Sequence, residues 1–150
     1  MKKASVISRI VAALLDNFFT SLLSIPSFML FIGGFASTNL YLHNPDGYAP
    51  AVPYFVAATV LYLLPLIYML IKDGLGKGQS FGKRIVGIKV IKTANQSNCT
   101  KGTSALRTLI GFLILSIPFV GIFVEFLMVV TTPDGRRLAD KAAGTMVVAA

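Results

Sequence analysis

Residues Arg9–Asp16 read RIVAALLD and run on through NFFTSLLSIPSFMLFI to Ile32, and this stretch decides the fold. From Ile10 to Ile32 the one charged side chain is Asp16, inside a run long enough to cross a bilayer as a helix. A charge at mid-bilayer costs roughly 2.5–3.5 kcal/mol on insertion scales, so Asp16 needs company. At about 100° per residue, seven steps bring Asp16 back to within roughly 20° of Arg9. Ser5, Thr20 and Ser27 fall near the same line, which predicts one polar stripe facing protein or a wet cavity. Two turns separate Arg9 from Asp16 by roughly 10 Å, too far for a firm direct bond, and Arg9 can snorkel to the headgroups. The partner of Asp16 must come from elsewhere, with Arg107, Arg136 and Arg137 as candidates.

The whole chain agrees with a membrane reading. Of its 150 residues 55% are hydrophobic and 13% charged, with a mean hydropathy of +0.74, far from a soluble domain. Three apolar stretches stand out, at about 5–32, 51–71 and 105–130, within what reads as a single domain over 1–150. The first is too long for a cleaved signal and is expected to stay as a helix. The basic residues behind the net charge of +8 lie beside these stretches, with none between Gly33 and Pro50, where the one charged residue is Asp46. That distribution fits the positive-inside rule and anionic headgroups, not a nucleic-acid face. It places the amino terminus in the cytoplasm and 33–50 as a turn-rich loop on the far side.

The basic loop 72–104 opens with glycines and then reads IVGIKVIK, a β-branched run expected to form a strand; the tail AGTMVVAA has the same character. A lone strand leaves its backbone unpaired, so the two are natural partners if both lie on one side of the membrane. A straight third crossing would separate them. Ser116, Pro118 and Gly121 near the middle of the third stretch favour a shallow returning hairpin, although a full span stays open.

Catalytic and metal motifs are missing. GLGKGQSFGKR lacks the Ser or Thr after Gly82-Lys83 that a phosphate loop requires, and flexible glycines with lipid-facing lysines account for it. The single His43 and single Cys99 offer no nucleophile pair and no metal cluster, so neither an enzyme nor a bound cofactor or metal is expected. Glu125 is the other acid in apolar surroundings, either an interfacial glutamate or a second ligand if it meets Asp16.

Four elements in order, RIVAALLD, GQSFGKRIVGIKVI, ALRTLIGF and RRLADKAAGTMVV, cover nearly the whole chain and resemble the RDD family of small membrane proteins. The resemblance implies that Arg9, Asp16 and Asp140 are the arginine and two aspartates that name the family. Phe81 stands where members often have proline, and Glu125 where some have aspartate. It implies transport only weakly, through a proposed unidentified ligand or sodium/proton exchange. The expectation is an all-α membrane protein with two full transmembrane helices, a third apolar span or re-entrant hairpin and a small two-stranded cytoplasmic β element. It would sit in the inner membrane as a multi-pass, accessory or transport-related protein, a homo-oligomer or bound to another membrane protein. Two uses of the charged residues compete. Asp16 passes a small cation or proton, or the Arg and Asp residues lock helices together in a non-transporting scaffold. In the lock, Asp140 is expected to hold Arg9 or Arg84 while Arg136 or Arg137 reaches Asp16.

Overall fold

The computed structural model describes residues 2–43, 51–117 and 120–150. It is mostly helical. Helices α1 (Val6–His43) and α2 (Ala51–Ile71) lead through a single 3-10 turn, Lys72–Gly74, to the short α3 (Phe81–Val86) and strand β1 (Ile88–Lys92). Then come α4 (Lys101–Leu115), α5 (Val120–Thr131), α6 (Leu138–Ala142) and strand β2 (Thr145–Ala149). The chain forms two compact units, Phe19–Tyr68 and the combination of Met1–Phe18 with Met69–Ala150.

The unit Phe19–Tyr68 is a pair of helical segments. α1 and α2 are the two helices among the described residues that are long and apolar enough to cross a membrane. Only 11% and 17% of their most apolar windows are buried inside the chain. A core helix of a water-soluble domain hides its apolar face; here Leu22, Phe28, Val60 and Leu64 remain exposed. The expected loop at 33–50 is corrected as far as His43, because α1 continues that far. Gly33 and Gly34 do not break it; they let α2 close in. A Cβ on Gly34 would stand 2.8 Å from the Phe55 ring, and one on Gly33 3.1 Å from that of Tyr54. Phe31, Phe35 and Phe55 then meet edge to face with centroids 5.1–5.8 Å apart. Ser27 Oγ donates to the Ala58 carbonyl at 2.7 Å, so this part of the polar stripe is spent on the neighbouring helix. Residues 44–50 of that expected loop lie outside the described residues.

The other unit is built on the sheet. β1 and β2 pair antiparallel from Ile88 opposite Ala149 to Lys92 opposite Thr145, and Lys3 bridges to Val148 on the far edge. Val90, Val147, Ile88 and Cys99 pack there with Ala4 and Ala12. The strand begins later than the β-branched run suggests. Ile85 and Val86 belong to α3, which ends at Gly87 in the left-handed conformation (φ 73°) that a glycine adopts without strain.

The third apolar stretch is two helices of 15 and 12 residues, each short of the roughly twenty needed to span. A Cβ on Gly121 would stand 3.0 Å from Leu115 Cα, so the backbone turns back at close range. Ala139 of α6 then meets both helices: its Cβ is 3.9 Å from a Cβ placed on Gly111, and its N–H donates to Glu125 at 3.4 Å. α5 therefore runs back along α4.

Candidate functional site

The candidate site is a network of buried charges within the sheet-bearing unit. Asp16, 1% exposed, stands at the head of α3. Ser80 Oγ donates to its Oδ2 at 2.6 Å, the Gly82 N–H donates to Oδ1 at 2.8 Å, and Lys72 Nζ lies 3.5 Å from Oδ2. Ser80 is also the N-cap of α3, its hydroxyl accepting from the Lys83 N–H. Gly82 is required by proximity: a Cβ there would stand 2.9 Å from both Asp16 N and Oδ1 and drive into the Ala12 carbonyl. The arrangement ties α3 to the first turns of α1 through charge-assisted bonds.

Arg107 is the hub of the second part. Its side chain is 3% exposed; Nε donates to Asp140 Oδ1 at 2.5 Å and Nη1 to Asp73 Oδ2 at 2.7 Å. Asp73 also pairs with Lys83, and its N–H donates to Ser104 Oγ at 3.1 Å. Ser104 in turn donates to the Leu70 carbonyl at 2.8 Å, so α4 is fixed to the end of α2. Burial pushes the Lys83 amine down to about 8 against the pull of Asp73. For Asp140, burial favours the neutral acid, but Arg107 and Arg137 outweigh it and hold the carboxyl below its ordinary value. The backbone N–H of Arg137 donates to Asp140 Oδ2 at 3.2 Å, closing the first turn of α6.

Several expected partnerships are replaced by others. Asp16 is met by Lys72, Ser80 and Gly82, and not by Arg107, Arg136 or Arg137, because α3 occupies the position beside it. Asp140 holds Arg107 instead of Arg9 or Arg84. Arg9 donates to the carbonyls of Gly135 and, at 3.1 Å, Val147, so it secures the tail through backbone. Arg84 is exposed on α3, and Arg136 pairs at the surface with Asp134 at 2.5 Å. Glu125 is buried, with Arg137 Nε at 3.5 Å and the Ala139 N–H as its neighbours. Lys83 turns inward to Asp73 and is not lipid-facing. Asp73 joins the network without a partner expected for it; its one signal in the sequence is an acid directly after an apolar span, at IKDG. Among the described residues no group of three or more His, Cys, Asp or Glu is placed to hold a metal ion.

Comparison with known proteins adds the decisive observation. The sequence profile of the RDD family matches residues 3–144, almost the entire chain. The chain belongs to the RDD family. A relative in Bacillus subtilis (strain 168), the uncharacterized protein YckC, is 31% identical over 86 residues, 57% of this chain and 56% of that protein. The chain thus spans little more than half the length of the curated relative it matches. No solved structure matches it. In this RDD protein the arginine and two aspartates that the resemblance implies each bond to different partners. Asp16 sits at α3, Asp140 sits on Arg107, and Arg9 grips the backbone of the tail.

Proposed function

We propose that the charged residues act as a fastening, and that this RDD protein is an accessory membrane module working in a larger assembly. The observation that carries the reading is the closure of Asp16. Both of its oxygens accept short hydrogen bonds, from a hydroxyl and a backbone amide, and an amine stands beside them. A carboxylate that relays protons or cations must exchange partners readily, whereas this one joins α1 to α3 as Arg107 joins Asp73 to Asp140. The polar unit is taken to lie on the cytoplasmic side of an inner membrane with the amino terminus, and α4 and α5 to dip in from that side as a re-entrant pair. The exposed apolar faces of α1 and α2 suit a second copy or another membrane protein.

The rival is passage of a small cation or proton by way of Asp16. One experiment separates the two. Asp16→Asn is expressed at matched transcript level, its membrane abundance and unfolding midpoint are measured, and the purified protein is reconstituted for sodium- and proton-gradient flux. The fastening predicts lower abundance and midpoint, with no flux in the parent protein. Flux in the parent that Asp16→Asn abolishes at unchanged midpoint refutes it.

A further inference from the structure

α3 is six residues long, and its two sides differ sharply. Gly82 and Val86, four apart, face inward: Gly82 against Ala12 and Asp16, Val86 against the core around the sheet. Lys83 reaches Asp73. Phe81 and Ile85, also four apart, project outward at 52% and 65% exposure, with Arg84 exposed beside them. Contact with residues 12–16 sets α3 alongside α1 roughly 9–15 Å in from the start of that helix, a stretch from which Leu14 also projects at 63% exposure. An aromatic and a branched aliphatic side chain flanking an arginine are the parts of an interfacial helix, apolar groups among acyl chains and the cation at the headgroups.

Charge selects the occupant. Every acid among the described residues, Asp16, Asp73, Glu125, Asp134 and Asp140, lies within an ion pair. Lys77, Arg84 and Lys101 are exposed and, among the described residues, outside any such pair. The surface surplus is therefore cationic, and a second copy docking here would bring like charge against Arg84. We infer that the Phe81–Arg84–Ile85 face of α3 is a lipid-docking element. Phe81 and Ile85 enter the upper acyl region, and Arg84 receives an anionic phospholipid headgroup. This goes beyond the fastening of Asp16, needing only the position of α3.

The chain contains no tryptophan, so a single introduced indole reports its own surroundings. Full-length Phe81→Trp and Ile85→Trp variants are reconstituted into vesicles of phosphatidylcholine, with or without phosphatidylglycerol, and titrated with phosphatidylcholine brominated at defined acyl carbons. The expected result is blue-shifted emission, quenched most by bromines on the upper carbons. Quenching should be stronger with phosphatidylglycerol, and that increment should be lost when Arg84→Gln is added. Water-like emission indifferent to brominated lipid overturns the inference. Blue-shifted emission that brominated lipid leaves untouched overturns it too, since protein then covers the face, and quenching without dependence on phosphatidylglycerol overturns the role of Arg84. The quenching reads surroundings and not flux, so it stands or falls apart from the fastening proposal.

Discussion

Replacing Arg107 by methionine is the sharpest test of the buried network. Methionine retains much of the apolar stem but removes the guanidinium from two carboxylates at 2.5 and 2.7 Å. Asp73 keeps Lys83, so that half of the loss is partly compensated. Asp140, 0% exposed, is left with the Arg137 N–H at 3.2 Å and its guanidinium at 3.7 Å. Breaking a buried pair by deleting one partner costs about 3–5 kcal/mol, because the other charge stays in place without water. With one carboxylate stranded, Arg107→Met should fall in that range and not at twice it. At roughly 1.4 kcal/mol per tenfold, the unfolded population rises by about two to three and a half powers of ten. The assay is reversible unfolding in mixed detergent micelles, compared with Arg136→Met, whose partner Asp134 is at the surface and whose midpoint should not move. The double variant Arg107→Met with Asp140→Leu should recover part of the loss, since the stranded charge is gone. A loss under about 1 kcal/mol for Arg107→Met, the scale of an exposed pair, refutes the reasoning.

The remaining predictions follow from single contacts. Gly82→Ala places a methyl group against the backbone of Ala12 and Asp16 and should cost about 1–3 kcal/mol in the same unfolding assay. Gly102→Ala, on α4 with open space around it, should be neutral or stabilise by up to about 1 kcal/mol. Asp16→Asn should lose about 1–3 kcal/mol, because an amide cannot accept at both oxygen positions and one buried donor goes unpaired. The depressed carboxyl of Asp140 binds protons more weakly in the folded than in the unfolded chain. Its contribution is therefore complete above its ordinary value near pH 4 and shrinks as pH falls from there through its lower folded value, so an acid titration of the midpoint should drop most steeply between the two. Asp140→Asn should flatten that drop.

What the sequence discloses and what it hides divide along physical lines. The two long helices follow from apolar length, and the paired strands from two β-branched runs that cannot satisfy their backbones alone. The burial of Asp16 follows from the cost of charge in hydrocarbon, but its partners do not, since Ser80 and Gly82 are 64 and 66 residues away. Charge alone points to guanidinium groups and not to a serine or a backbone amide, although a serine three residues ahead of Lys83 is a plain N-cap signal. Asp73 stayed hidden because an acid after a span reads as a solvated flank; only the approach of α4 turns it into the bridge between Arg107 and Lys83. The continuation of α1 past Gly33 depends on rings from α2, which no window of local sequence contains. β1 begins later than propensity predicts for the opposite reason: Ile85 and Val86 have strand propensity, yet Ser80 and Gly87 bracket them as helix.

The edge-to-edge stitching of Lys2–Ala4 to β2 bears on how the protein comes into being. The Ala149 N–H donates to the Lys2 carbonyl and the Ala4 N–H to that of Val147, so residues made before α1 wait for residues made after α6. During synthesis α1 and α2 are complete while β1 has no strand beside it, and Ala4 lacks its cover. The apolar helices are therefore made before the sheet-bearing unit can close, and a ribosome stalled before Thr145 leaves an open sheet edge for cellular proteolysis to find.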